Sequence, residues 1–230
     1  MKAIVFDSSS IISLAMNDLL WTLKALKKIY KGDFYIPNSV KKEIIDVPLK
    51  SKKFKLEAIM ISKLVDEGIL KVGKTVDVNK LLFLANSVFI SKENLQVKSP
   101  GGKLNILQKG EIEAIALCAE LNADAYVVDE RTMRLFMEDS EGLKTILEGK
   151  LHTSVSVDNK MLSDFKKQIN GVNIIRSSEL MMVALEKGLF EEYINVKNKR
   201  ELVDAILWGL RLRGCAISTE EINETIKLVK

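Results

Sequence analysis

A chain of 230 residues, 47% hydrophobic and 29% charged, has the composition of a globular protein with a sizeable core. No apolar run reaches the ~20 residues of a membrane span, and the N-terminus reads as a strand rather than a secretory leader. The two cysteines, Cys118 and Cys215, form no CxxC pair, so neither a disulfide framework nor a structural zinc is expected and a reducing cytoplasm is.

The net charge of +4 is unevenly spread. Residues 1–109 hold 19 lysines and no arginine against 10 acids, whereas residues 110–230 hold 16 basic residues against 21 acids. Such a balance suits a polyanionic partner lying across the basic half, or simply solvated lysines on helix surfaces.

Along the chain, β-rich apolar stretches alternate with amphipathic ones, the pattern of βαβ units around a mainly parallel sheet. Strands are predicted at 2–7, 34–37, 69–73, 125–129 and 172–176. Between them the periodicity predicts helices near 10–30, 38–46, 52–67, 77–91, 110–122, 130–138 and 159–169. The chain then finishes helically, near 178–188, 199–213 and 218–229, the last opened by Ser218 with Glu221 three residues on, a capping-box pattern. Residues 92–109 read as a loop around Pro100-Gly101-Gly102. Residues 139–157 are polar, with the alternation His152–Val157 offering a short edge strand. We expect one elaborated domain, 1–196, with an insertion around 136–170 and a helical extension, 197–230. The apolar positions Leu202, Ile206, Leu207 and Leu210 of that extension suit packing either internally or between the subunits of a homodimer.

Four acids fall where a parallel sheet delivers side chains to its carboxyl edge, the edge at which such folds bind ligands. Asp7 closes the run Ala3-Ile4-Val5-Phe6, and a carboxylate at the end of a buried strand requires a cation or hydrogen-bond donors. Ser8, Ser9 and Ser10 follow it; Ser9, two residues on, points to the same side as Asp7 and suits orienting it, while helix capping is the plainer role. Glu43 borders the Val40–Ile44 stripe in the first turns of its helix, a position that also simply favours the helix dipole. Glu111 and Glu113 compete for one role, because residues two apart on a helix point about 200° apart. Glu111, in the first turn, is preferred, with Glu113 outside it. Asp129 and Glu130 end the fourth strand on opposite faces. Asp129 is preferred, with Glu130 peripheral and Arg131 available to neutralise a carboxylate or touch phosphate.

The segments MKAIVFDSSSII, IPNSVKKEII, KGEIEAIALCAEL and AYVVDERTMR resemble the successive motifs of PIN-domain proteins. The nearest subtype carries a Gly-Glu-x-Glu-Ala pattern, a strand ending in paired acids, and a tail similar to GVNIIRSSELMMVALEKGLF followed by RELVDAILWGLRLRGCAIS. The likeness covers most of the chain, leaving out 46–109 in detail and roughly 136–170. Ser177-Ser178-Glu179 departs from the Gly-containing turn of that subtype.

The resemblance implies a Rossmann-like three-layer α/β/α fold with about five strands, and an acidic cluster binding Mg²⁺ or Mn²⁺ for hydrolysis of single-stranded or structured RNA. Carried onto this chain, the catalytic cluster is Asp7, Glu43, Glu111 and Asp129, with Asp7, Glu111 and Asp129 as metal ligands and Ser9, Glu113, Glu130 and Arg131 supporting. Hard oxygen donors suit those ions. Lys50, Lys52, Lys53 and Lys55 would contact phosphate, with Phe54 either stacking on a base or sitting in the core of its helix. The rival expectation is a non-catalytic RNA-binding module in a ribonucleoprotein or ribosome-associated complex. A receiver domain would need adjacent acids on the first strand, and a haloacid-dehalogenase-type phosphatase an Asp where Ser9 stands. The single histidine, His152, argues against a histidine-based triad.

Overall fold

The computed structural model describes residues 2–74, 76–91, 102–169, 171–194 and 198–229. Five short strands carry the apolar runs: β1 (Ala3–Phe6), β2 (Asp33–Ile36), β3 (Leu70–Val72), β5 (Ala125–Val127) and β7 (Ile174–Ile175). They pair in the order β3-β2-β1-β5-β7, every pair parallel. β4 (Phe89–Ser91) and β6 (Val155–Val157) form a separate antiparallel pair.

Strand alternation divides the core into two layers. Ile4, Phe6, Phe34, Ile36 and Leu70 face one side. There they meet α1 (Ser8–Met16), α2 (Trp21–Tyr30), α4 (Lys55–Asp66), α10 (Ser177–Glu186), α11 (Lys199–Leu212) and α12 (Thr219–Leu228). Ala3, Val5, Tyr126 and Val128 face the other. That layer is closed by α5 (Asn79–Ala85), α6 (Lys109–Leu121), α7 (Arg131–Glu138), α8 (Ser140–Leu151) and α9 (Asn159–Gln168). The result is the three-layer α/β/α sandwich of a Rossmann-like fold. Each fully buried side chain such as Phe6 or Phe34 contributes roughly 1.5–3 kcal/mol by leaving water.

Several element boundaries differ from the sequence expectation. The helix expected over 10–30 is two helices, broken at Asn17-Asp18, where Asp18 takes a positive φ of 55°. The helix expected over 77–91 ends at Ala85, and Phe89–Ser91 is strand β4. A continuous apolar run does not distinguish a buried helix from a buried strand, so the switch leaves no trace in the pattern. The polar stretch 139–157 holds helix α8 before strand β6. Only Leu143 of α8 is fully buried, which is why the pattern resembles a loop. Residues 92–101 of the expected loop lie outside the described residues.

In the C-terminal extension Ile206, Leu207 and Leu210 are buried within the chain, with Leu202 half-buried against the same layer, so this face packs internally. Among the described residues no helix is long and apolar enough to cross a membrane. Both cysteines are buried and unbridged.

Candidate active site

β1 and β5 run parallel with Phe6 opposite Val127, and the Asp7 amide donates to the Val127 carbonyl at 2.9 Å. The acids that follow these two strands therefore emerge at the same edge of the sheet. A cleft of about 280 Å³ opens there, with Asp7, Glu43, Glu111 and Glu130 among its walls together with Ser9 and Gln108. No lysine or arginine is among the residues that line it.

Asp7 is 4% exposed and caps α1. The Ser9 amide and hydroxyl donate to Asp7 Oδ2 at 3.0 and 2.7 Å. The Ser9 hydroxyl also accepts the Asp129 amide at 3.1 Å, so one side chain ties the two strand ends together. Burial pushes the Asp7 carboxyl above its usual range, against the pull of the Ser9 donors, and the charge of Asp129 adds to the rise.

Glu43 reaches the cleft from a single π-helical turn, Lys42–Asp46, that follows the short helix α3 (Asn38–Lys41). The Val47 amide donates back to the Lys42 carbonyl at 3.0 Å, the wide i to i+5 closure of such a turn. The adjacent Ile44 and Ile45 are both 3% exposed in the core, while Glu43 stays on the rim. Desolvation and then the neighbouring Asp7 raise the pKa of Glu43, with the Ser8 hydroxyl opposing.

Glu111 stands in the first turn of α6, and its carboxylate accepts the Gln108 amide at 2.5 Å, half of a capping box. Desolvation pushes its pKa to about 7, the Gln108 amide opposes, and repulsion from Glu130, Asp7 and Glu43 adds to the rise. Glu113 lies on the same helix but is not among the residues lining the cleft.

The pair Asp129 and Glu130 is arranged the other way round from the sequence expectation. β5 ends at Val127, so Asp129 is not a terminal strand residue pointing out of the edge. Its fully buried carboxylate turns to the start of α10, accepting the Ser177 amide at 2.7 Å and hydroxyl at 2.6 Å. Glu130 is the acid that lines the cleft, where it caps α7 by accepting the Met133 amide at 2.9 Å and the Thr132 hydroxyl at 2.8 Å. Ser177, where the sequence led to the expectation of a glycine-containing turn, is what holds Asp129. Arg131 is exposed and lies outside the cleft.

The lysine segment lies beyond Glu43. Lys50, Lys52, Lys53 and Lys55 are all exposed. Phe54 is not a core residue: it takes a positive φ of 61° at the N-cap of α4, is 43% exposed, and lies 4.7 Å beneath the Lys53 ammonium. Lys53 and Phe54 line an apolar hollow of about 330 Å³ that shares Ile12 and Glu43 with the acidic cleft.

Gln108 is a wall residue absent from the sequence expectation. Its signal is the three-residue spacing to Glu111 ahead of an apolar run. The donor set suits a hard divalent cation, being carboxylates alone, free of thiol or imidazole, mutually repelling and without a counter-cation in the cleft. As placed, no group of three or more His, Cys, Asp or Glu side chains among the described residues is arranged to hold an ion. Glu111 and Glu130 have oxygens committed to helix caps and would have to turn or share them. No family model matches the chain, and neither a curated protein nor a solved structure is significantly similar to it.

Proposed function

We propose that the protein is a PIN-like, metal-dependent endoribonuclease whose reaction takes place in the cleft formed by Asp7, Glu43, Glu111 and Glu130. The observation that carries this reading is the convergence of four carboxylates, from four separate stretches of chain, with no basic side chain among them. Burial raises the pKa of Asp7, Glu43 and Glu111, and for Glu43 and Glu111 repulsion from the other cleft acids adds to the rise. A structure kept for stability alone would relieve that repulsion with a lysine, whereas a metal- and phosphate-binding site needs it.

Asp7, Glu43, Glu111 and Glu130 are the residues that would hold Mg²⁺ or Mn²⁺, and such an ion supplies an acidified water and charge stabilisation for phosphodiester hydrolysis. Ser9 fixes Asp7 in one orientation by donating twice to a single oxygen. Glu111 would complete that set from the first turn of α6; its pKa, about 7 in the metal-free protein, would fall once a cation sits beside it. Asp129 acts behind the site, by fastening α10 to the strand end through Ser177. Single-stranded or structured RNA is the substrate class that suits the exposed lysines 50–55 beside Glu43.

The test is Asp7→Asn, which keeps the volume and removes the charge. We expect Mn²⁺-dependent cleavage of RNA to fall by at least a hundredfold while the thermal melt stays cooperative; undiminished cleavage rejects the assignment. A second reading, a non-catalytic RNA-binding module, is favoured by one observation: Glu111 and Glu130 are both engaged as helix caps. RNA binding without turnover, across several substrates in Mn²⁺, selects it.

A further inference from the structure

The C-terminal helices close a second concavity at the same edge of the sheet. Arg131 and Arg134 from α7 and Arg211 from α11 line a hollow of about 410 Å³, together with Ala216, Ser218 and Glu221. Its cations exceed its anions. Glu221 is already committed, to Arg176 at 2.8 Å and to the Ser218 amide at 2.7 Å. Arg134 donates to the Ala216 carbonyl at 3.2 Å and pairs with Glu138 at 3.1 Å. Arg211 donates to the Thr219 hydroxyl at 2.7 Å and lies 5.0 Å over the Trp208 ring, with no carboxylate partner among the described residues. Arg131 makes no hydrogen bond or ion pair among them at all.

A lone surface arginine is ordinarily just solvated. Here three guanidinium groups from helices about eighty positions apart in sequence meet in one hollow, two of them held in place by fixed contacts. Guanidinium is the group best suited to hold phosphate through a fork of donors. The hollow is also joined to the acidic cleft. Arg131 directly follows Glu130, a cleft wall, and the Ala216 amide donates to the Asp129 carbonyl at 3.0 Å. Along this edge the order is therefore exposed lysines, acids, arginines.

We propose that the arginine hollow binds a phosphate group of single-stranded RNA, a different one from the phosphate presented to the acids. The proposal rests on the nuclease reading of the cleft and extends it by giving the strand a second anchor on the side opposite the lysines. Free phosphate offers the same chemistry, and the experiment separates the two.

Binding of a fluorescein-labelled single-stranded RNA is followed by anisotropy in EDTA, across a salt series, so that no turnover enters the readout. Arg131→Gln, which breaks no hydrogen bond or ion pair of the described residues, is compared with Arg131→Gln/Arg211→Gln and with Glu111→Gln. The expected result is a several-fold loss of affinity for the single variant and at least tenfold for the double. The slope of log affinity against log salt should fall by about 0.7 for each phosphate that is no longer neutralised. Wild-type affinity and slope in a folded Arg131→Gln overturn the proposal. So does inorganic phosphate binding that depends on Arg131 while RNA affinity does not, which would make the hollow a site for the free anion. Because Glu111→Gln touches only the acids, its loss of Mn²⁺-dependent cleavage, or the lack of it, reports on the nuclease reading separately.

Discussion

At the scale of single residues, the two acids that follow β5 do different work, and substitution should separate them. Asp129 has both oxygens satisfied by Ser177 in a site closed to water. Ser177→Ala leaves one oxygen of a buried carboxylate without its hydroxyl donor and is expected to destabilise the protein by about 1–3 kcal/mol in urea unfolding. Glu130→Gln keeps an acceptor for the α7 cap and should change stability by less than about 1 kcal/mol, while sharply reducing Mn²⁺-dependent cleavage. The reverse ranking would return Asp129 to the site. This division was only half legible in the sequence. Alternation says that successive residues diverge, but choosing between them required knowing that β5 itself ends at Val127 and that a serine waits at the head of α10.

Glu111 carries a pH dependence of definite sign. Its folded pKa, about 7, lies above the ordinary 4.5, so the folded state holds a proton that the unfolded state has released. Its effect on stability is therefore neutral below pH 4.5 and increasingly unfavourable as pH rises to about 7, by up to about 3 kcal/mol for the metal-free protein. Asp7 and Glu43 push the same way. Urea unfolding in EDTA at pH 4.5 and pH 7.5 measures the drop, and Glu111→Gln should shrink it. A drop unchanged by that substitution contradicts the assignment.

At the scale of elements, the region 136–170 is anchored by rings. Phe136 meets Phe165 edge-on with centroids 5.0 Å apart, and Phe89 of β4 lies 6.0 Å from Phe136. All three are fully buried. Phe136→Ala is expected to cost about 3–5 kcal/mol, and because α7 begins at Arg131, directly after Glu130, it should also weaken RNA binding in the folded fraction; a change below about 1 kcal/mol would show that this layer packs independently of the rings. The sequence did reveal the five sheet strands, because a strand covered on both faces is an unbroken apolar run such as Ala3–Phe6. It concealed α8, whose outward face is polar nearly all round, and β4, which lies inside a longer apolar stretch that periodicity alone assigns to a helix.

At the scale of the whole molecule, a second set of charges titrates with the opposite sign. Against the cost of burial, the Arg176 guanidinium and the Ser218 amide hold Glu221 at about 2, and Lys71 and Lys27 hold Asp33 below its usual range. Stability from these pairs is complete above the ordinary carboxylate pKa and is lost as pH falls from about 4.5 towards 2. The cleft acids and these pairs therefore give stability opposing slopes, falling towards neutrality for the first and towards acid for the second. Glu221→Gln should flatten only the acid limb, read as the midpoint of thermal unfolding against pH; an acid limb left intact would place its origin elsewhere. Arg176 also donates to the Ala216 carbonyl at 3.0 Å, so the same contact holds the chain segment that closes the arginine hollow.

The central position of β1 bears on biogenesis. The first 72 residues supply β1, β2 and β3, three of the sheet's five strands, whose inner border stays bare until residues 125–127 are synthesised. Through that interval a nascent chain rich in lysine displays unpaired amides and carbonyls, an invitation to self-association. A fragment truncated after Leu121 should accordingly elute as large species in gel filtration, and a well-behaved monomer would mean that α1 or α6 shields the gap until its partner strand arrives.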